Sequence, residues 1–234
     1  KGFPSKSDNL TNVPISKWRN FIFCSIGNKY KLNDFFSSME NRIGWMPIED
    51  FVYKSELSKD YFVKANWALY CDNYLEGFHI PFVHHDLAKQ FKYDEYAVEL
   101  FPYSNLQLGI GKEGEDCFDL PKDSKDYGKN IIAYYFWVFP NMMFNFYPWG
   151  LSLNIVKPIS VNLTKIEFRS FVWNEDKLNM GAGSDLDKVE KEDEEIVELV
   201  QQGVNSRFYK KGRFSPSMET GVHHFHTLLS DFMK

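Results

Sequence analysis

Residues 66–87 read Asn66-Trp-Ala-Leu-Tyr-Cys-Asp-Asn-Tyr-Leu-Glu-Gly-Phe-His-Ile-Pro-Phe-Val-His-His-Asp-Leu87. The stretch opens as a helix on which Asp72, Glu76 and His79 stand at i, i+4 and i+7, so that two carboxylates and an imidazole share one face. Such a face is unsuited to a core. Pro81 forbids regular continuation, and the spacing predicts His84 on the turn just beyond, close enough to converge with His79. Two imidazoles five residues apart beside acids outline a metal site. Taken alone, the pair reads more readily as surface histidines on a helix and its following loop.

The other histidines sharpen the choice. All six lie in two short clusters, His79, His84 and His85, and His223, His224 and His226, which scattered surface residues would not do. A two-His-one-carboxylate iron site needs an inward-pointing acid as third ligand and leaves three positions open. Within residues 188–203, Val189, Ile196, Val200 and the following Val204 recur at helical spacing with one slot missing, and Asp193 fills that slot. A carboxylate among buried positions costs several kcal/mol unless a cation or donors offset it. Glu190, Glu192, Glu194, Glu195 and Glu198 read as a solvated face.

Asn66-Trp67, Asp72-Asn73-Tyr74, Glu76, His79-Ile80-Pro81-Phe82 and His84, followed by Glu192-Asp193, Ile196, Glu198, Gln201 and Gly203, resemble the catalytic domain of Rieske non-haem iron oxygenase alpha subunits. Gly212-Arg213-Phe214-Ser215 and residues 219–226 resemble the end of the choline, glycine betaine and carnitine oxygenase branch. The resemblance implies His79, His84 and Asp193 as ligands of a mononuclear Fe(II), Glu76 as the bridging acid, and Asn73 as an amide near the metal. It further implies O2 as co-substrate, a small quaternary amine or aromatic substrate, a reductase or ferredoxin donor, and a homotrimer that passes electrons between subunits.

A Rieske [2Fe-2S] centre takes two cysteines and two histidines. No cysteine of this sequence is followed by a histidine at the family's spacings, so the cluster-binding part is expected outside these 234 residues. Residues 1–30 resemble the trailing edge of that domain, leaving 31–234 as the iron domain. The chain is thus expected to be the C-terminal part of a longer subunit. Cys24, Cys71 and Cys117 stand far apart, which suits reduced thiols and a cytoplasmic place better than a disulfide framework. No leader pattern opens the sequence. A net charge of −5 gives no basic footprint for nucleic acid, and no apolar run approaches the roughly 20 residues that cross a bilayer.

Working outward, Leu32 to Ile43 reads as a short helix and Phe51 to Ala65 as a strand pair. Phe91 to Ile110 reads as one or two strands broken at Pro102 and Gly109, and Gly111 to Lys129 as a charged loop of the kind that serves as a lid or faces a partner. Strand signals at Ile131–Phe139, Met142–Tyr147, Leu151–Val156 and Lys165–Trp173 predict an antiparallel meander, closed by helices from Leu186 to about Val204 and from about Ser217 to Met233. This order implies an α+β domain, a curved antiparallel sheet on helices. The family resemblance makes it a helix-grip, START-like fold.

Tyr134, Phe136, Phe139, Phe144, Phe146, Tyr147 and Trp149 are candidates for core, with a few for a substrate pocket. His85 and the second histidine cluster suit packing or hydrogen bonding better than ligation, since no cysteine or nearby acid completes a tetrahedral set. Two other functions fit the same residues: a non-enzymatic helix-grip module that binds a hydrophobic ligand, and a zinc hydrolase using the same three ligands with Glu76 as general base.

Overall fold

The strand signals assemble into one seven-stranded antiparallel sheet in a computed structural model that describes residues 2–27 and 29–234. Lys1 and Asn28, both in the expected Rieske remnant, lie outside the described residues. In chain order the elements begin with the ribbon strands β1 (Ile15–Trp18) and β2 (Phe21–Cys24), helix α1 (Leu32–Ile43) and strand β3 (Val52–Val63). Helices α2 (Trp67–Leu75), α3 (Ile80–Val83) and α4 (His85–Gln90) follow. Strands β4 (Ala97–Phe101), β5 (Ser104–Ile110), β6 (Ile131–Val138), β7 (Met142–Tyr147), β8 (Gly150–Ser160) and β9 (Leu163–Val172) come next, then helices α5 (Leu186–Val204) and α6 (Thr220–Phe232).

The sheet order is β3-β9-β8-β7-β6-β5-β4. Strands β4 to β9 therefore form a meander, and β3 adds itself at the far edge beside β9. The expected strand pair at 51–65 is this single strand, because residues 52–63 hold no Gly, Pro or Asn to turn the chain. Its ladder with β9 slips between Lys54 and Lys59 instead. Residues 102–103 do turn the chain between β4 and β5. Gly109 does not end β5; it sits at a register shift against β6, the usual place for a strand-interior glycine.

Side-chain alternation divides the sheet into two working faces. Leu106, Tyr134, Phe136, Phe144 and Phe146 pack with Phe36, Met39 and Ile43 of α1 and with Trp18 of the ribbon. On the opposite face, Trp137, Met143, Ile166 and Phe168 pack with Tyr70 and Leu75 of α2, Val197 of α5, and Phe225 and Leu228 of α6. Each large side chain so buried contributes about 1.5–3 kcal/mol. Strand β9 alternates as its sequence predicts, with Ile166, Phe168, Ser170 and Val172 buried. Strand β5 is buried throughout, since helices or ribbon cover both its faces.

The irregular segment 112–130 is fastened down at Phe118 and Asp126, which does not suit a lid, while residues such as Tyr127 stay exposed. Asp126, fully buried, accepts from Arg42 Nε at 2.5 Å and Nη2 at 2.8 Å, and from the Tyr134 hydroxyl at 3.1 Å. Phe118 of the same segment enters the core on that side. Burial would raise the Asp126 carboxyl, but Arg42 and then Lys129 outweigh it and hold it below the ordinary value. Replacing Asp126 by Asn leaves a buried guanidinium under-compensated and is expected to cost about 3–5 kcal/mol. Because the folded-state value is the lower one, wild type's margin over Asp126→Asn is full above about pH 4 and shrinks below it. Urea melts of both proteins at pH 7 and pH 3 measure that margin; one that fails to shrink would rule out the ion pair as its source.

Candidate metal centre

The site is built where the decisive stretch breaks. Asn66 caps α2 by accepting from the Ala68 amide at 3.0 Å. The helix then ends at Leu75, so Glu76 and His79 do not share its face as the i, i+4, i+7 spacing predicts. Glu76 is extended, and its Oε2 accepts from the amides of Phe78 at 2.7 Å and His79 at 3.1 Å. This carboxylate satisfies donors that the new helix turn would leave orphaned, and it replaces continued helix with a tight corner. Gly77 belongs at that corner because a Cβ there would lie 2.4 Å from the Tyr96 ring. Pro81 is not the breaker; it occupies the first turn of α3, where its missing N–H is harmless. His84 falls at the junction of α3 and α4, on the turn where the sequence places it.

The corner brings two imidazoles to one carboxylate of α5. His84 Nε2 lies 3.0 Å from Asp193 Oδ1, and His79 Nε2 lies 3.6 Å from the same oxygen. One ligand atom from each of the three residues falls within 4.8 Å of the others, and among the described residues no other His, Cys, Asp and Glu group does this. Behind each ring stands a second acid. His79 Nδ1 is 2.6 Å from Glu76 Oε1, and His84 Nδ1 is 2.7 Å from Glu192 Oε2. With Nδ1–H donating to the acid behind it, each ring would offer its Nε2 lone pair to an ion seated between it and Asp193, the tautomer a metal requires. Asn73 donates to Asp193 Oδ1 at 2.7 Å and fixes that carboxylate's rotamer.

The donor set fits a divalent ion electrostatically as well. Burial would lower the His84 imidazolium, but hydrogen bonding and charge from Asp193 and then Glu192 outweigh it and raise it. A site that draws in a proton against burial draws in a cation. Two neutral imidazoles and one carboxylate, with space beyond them, match the facial arrangement of non-haem iron.

Beyond the ligands lies a cavity of about 110 Å³ between the sheet and α5. Tyr135 and Tyr147 come to it from one sheet face, with Gln107 and Asn145 beside them, and Phe91 and Tyr96 from the segment after α4. Of the aromatic residues expected in a pocket, Tyr147 alone lines this one. Tyr134, Phe136, Phe144 and Phe146 have the opposite strand parity and pack under α1. A separate outer groove, about 500 Å³, runs past Leu69, Ile196, Val200 and Phe214, and Glu76 and His79 line it too. The metal corner thus has one side on the cavity and one on the groove.

The acidic helix departs most from its reading. Asp193 does face inward, but its row is Leu186, Glu190, Val197 and Gln201; Val200 is exposed. Glu190 is 2% exposed and Glu192 grips His84, so neither belongs to a solvated face. Leu186 and Val197, at i−7 and i+4, lie on one side of Asp193's direction and Val200 and Val189, at i+7 and i−4, equally far on the other, and the fold buries the first side deeper. Asp72 turns to the groove and pairs with His226 at 2.8 Å. His223 and His226 flank Phe214, and His85 is exposed, consistent with packing and surface roles.

The family model described as the ring hydroxylating alpha subunit, catalytic domain, matches residues 44–234. Choline monooxygenase of Arabidopsis thaliana is 33% identical over 184 residues, covering 75% of this chain and 41% of that protein. The carnitine monooxygenase oxygenase subunit of Escherichia coli is 25% identical over 247 residues, covering 99% of this chain and 64% of that subunit. A quaternary ammonium Rieske monooxygenase superposes with a TM-score of 0.73 at 22% identity, covering 95% of this chain and 62% of that one. The chain spans about half the length of the curated choline monooxygenases it matches.

After anaerobic ferrous reconstitution, plasma mass spectrometry is expected to find one metal ion per chain, absent from His84→Ala and from Asp193→Ala. Glu192→Gln should keep the ligands yet weaken metal affinity about 10- to 100-fold. Equal affinity in wild type and Glu192→Gln would show that Glu192 does not orient His84.

Proposed function

The chain belongs to the family of ring-hydroxylating alpha subunits, whose catalytic domain it carries, and from that membership we propose that it is the oxygenating half of a Rieske-type oxygenase acting on a small quaternary amine. The observation that carries the proposal is the clamped triad: His79, His84 and Asp193 converge at the wall of an aromatic cavity, with each histidine backed by a carboxylate. Neither a hydrophobic-ligand carrier nor a zinc hydrolase is favoured by this membership. A carrier, moreover, has no use for such a corner.

In this reading His79, His84 and Asp193 hold Fe(II), which when bound supplies O2 activation at the positions a facial triad leaves open. Monooxygenation puts one oxygen atom into a substrate C–H bond and releases the other as water, consuming two electrons and two protons. The chain's own residues prepare for this. Glu76 and Glu192 hold the Nδ1 protons, Asn73 holds Asp193, and the aromatic wall excludes bulk water and receives the substrate. Cation–π attraction to a trimethylammonium group contributes roughly 0.5–2 kcal/mol per aromatic face.

The electrons would come from a Rieske [2Fe-2S] domain that precedes residues 31–234 in the full-length subunit and is reduced by a reductase or ferredoxin. In the quaternary ammonium Rieske monooxygenase of like fold, electron transfer is inter-subunit. Glu76 suits the same task here in a homotrimer, because its carboxylate lines the outer groove and is hydrogen-bonded to His79. In the full-length protein with its reductase, Glu76→Gln is expected to retain iron while choline-dependent O2 uptake falls about 10- to 100-fold. Metal analysis and an oxygen electrode read the two quantities separately. A variant that retains iron and turns over at the wild-type rate would remove Glu76 from the electron path.

A further inference from the structure

A row of polar side chains crosses the site-facing side of the sheet. Register places Gln107 of β5 beside Tyr135 of β6, Tyr135 beside Asn145 of β7, Asn145 beside Ser152 of β8, and Ser152 beside Ser170 of β9. Gln107, Asn145, Ser152 and Ser170 are all buried, which is unfavourable unless each finds partners. Most of their polar atoms do. Gln107 accepts from the Tyr96 hydroxyl and donates to the Tyr74 carbonyl oxygen at 2.8 Å, and Ser170 donates to the Leu57 carbonyl oxygen at 3.1 Å. The Tyr74 hydroxyl donates to Asn145 Oδ1 at 2.7 Å. Ser152 donates at 2.9 Å to Oδ1 of Asn154, two residues along β8 and so on the same face. Among the described residues neither hydroxyl has another acceptor, which fixes the orientation of both amides.

What remains unspent is the amide nitrogen of Asn145 and that of Asn154. Neither has a partner among the described residues, and neither is sealed from solvent, in contrast to Glu190 Oε1. Both residues line the cavity beside the triad. His79, His84 and Asp193 reach that cavity from the helices and the corner between them, whereas the two amides stand on β7 and β8, so the space has a metal side and a donor side. An amide nitrogen donates and does not accept. Its complement is therefore an oxygen, and neither hydrocarbon nor ammonium can serve. We propose that Asn145 and Asn154 form an oxygen-recognising subsite, whose nitrogens donate to a carbonyl, hydroxyl or carboxylate oxygen of the substrate and so turn the carbon to be oxidised toward the metal. An oxygen-free substrate would strip water from both amides and return nothing, which is the source of discrimination. The subsite deepens the quaternary-amine reading above and rests on it.

Calorimetric titration of the iron-loaded full-length protein, kept anaerobic, tests it with trimethylammonium probes of matched shape: acetonyltrimethylammonium, glycine betaine, and methallyltrimethylammonium, in which a methylene replaces the ketone oxygen. Wild type is expected to bind the ketone at least about tenfold more tightly than the alkene. In Asn145→Leu and in Asn154→Leu that ratio should fall toward one, while affinity for the alkene and the iron content stay unchanged. Asn145→Asp and Asn154→Asp keep the oxygen that Tyr74 and Ser152 donate to, and they serve where a leucine variant fails to fold. Each should lower the same ratio, because an acceptor then faces an acceptor. Betaine bound more tightly than the ketone would identify the recognised oxygen as a carboxylate, and the reverse order as a neutral oxygen; either, above the alkene, supports the subsite. A ketone no tighter than the alkene in wild type, or a ratio that survives the substitutions, would overturn it and leave both asparagines as structural partners of Tyr74 and Ser152. No binding of any probe to wild type would instead overturn the quaternary-amine reading itself.

Discussion

Negative charge is concentrated where α5 meets the end of α2. Glu190, Glu192 and Asp193 come from one helix and Glu76 follows the other, all at least partly removed from water. Such a junction repels itself and loses hydration, each at a cost of several kcal/mol in so confined a space. It is tolerated because donors are aimed at it: Tyr70 at Glu190, Asn73 at Asp193, and the two histidine Nδ1 groups at Glu76 and Glu192. Each donor is a residue that the sequence of α2 or its following corner must supply. The remaining field points at the two Nε2 atoms, where a divalent ion would complete the neutralisation.

The rest of the fold serves that junction by holding its two sides at a set distance. The amide of Asn66 donates to Gln201 Oε1 at 2.8 Å, and that of Lys64 to Glu198 Oε1 at 2.8 Å, so polar contacts along α5 lock it beside the start of α2. Gly221 lets α6 approach α2 closely, since a Cβ there would lie 2.6 Å from the Leu75 carbonyl oxygen. Across the sheet, α1 and the 112–130 segment close the other face through Arg42 and Asp126. The two faces have different characters: one carries the apolar core under α1 and the ribbon, with a groove beside Phe23, Phe36 and Met142, and the other leaves a small aromatic cavity beside the acids. Only the second of these spaces lies beside the histidines and acids.

Much of this is legible in the sequence where local chemistry decides. Leu32–Ile43 and Leu186–Val204 carry helical apolar spacing strong enough to fix both ends, and the turns at Pro102, Pro140-Asn141 and Pro148-Trp149-Gly150 cut the meander where their backbone preferences require. Histidine clustering and an acid at a helical inward position mark His79, His84 and Asp193. The acidic helix differs in detail from its apolar pattern for a definite reason. A row made of Leu186, Glu190, Asp193, Val197 and Gln201 holds few apolar residues, so periodicity selects the neighbouring row.

The sequence by itself determined the strand order of the meander, the helices that close it and the three residues able to hold a metal, because these follow from side-chain period, turn chemistry and donor type within a few residues. Only the tertiary structure decided which acids back the histidines, that Glu190 lies against a cavity, that Tyr135 and Tyr147 reach the site while Tyr134 and Phe136 do not, and that the loop at 112–130 is pinned by Arg42. Those facts depend on which groups meet across long stretches of chain, as Asn73 and Asp193 do at a separation of 120 residues. Desolvation acts only once such groups are brought together, and it is desolvation that turns an acidic helix face into a metal- and cation-seeking wall.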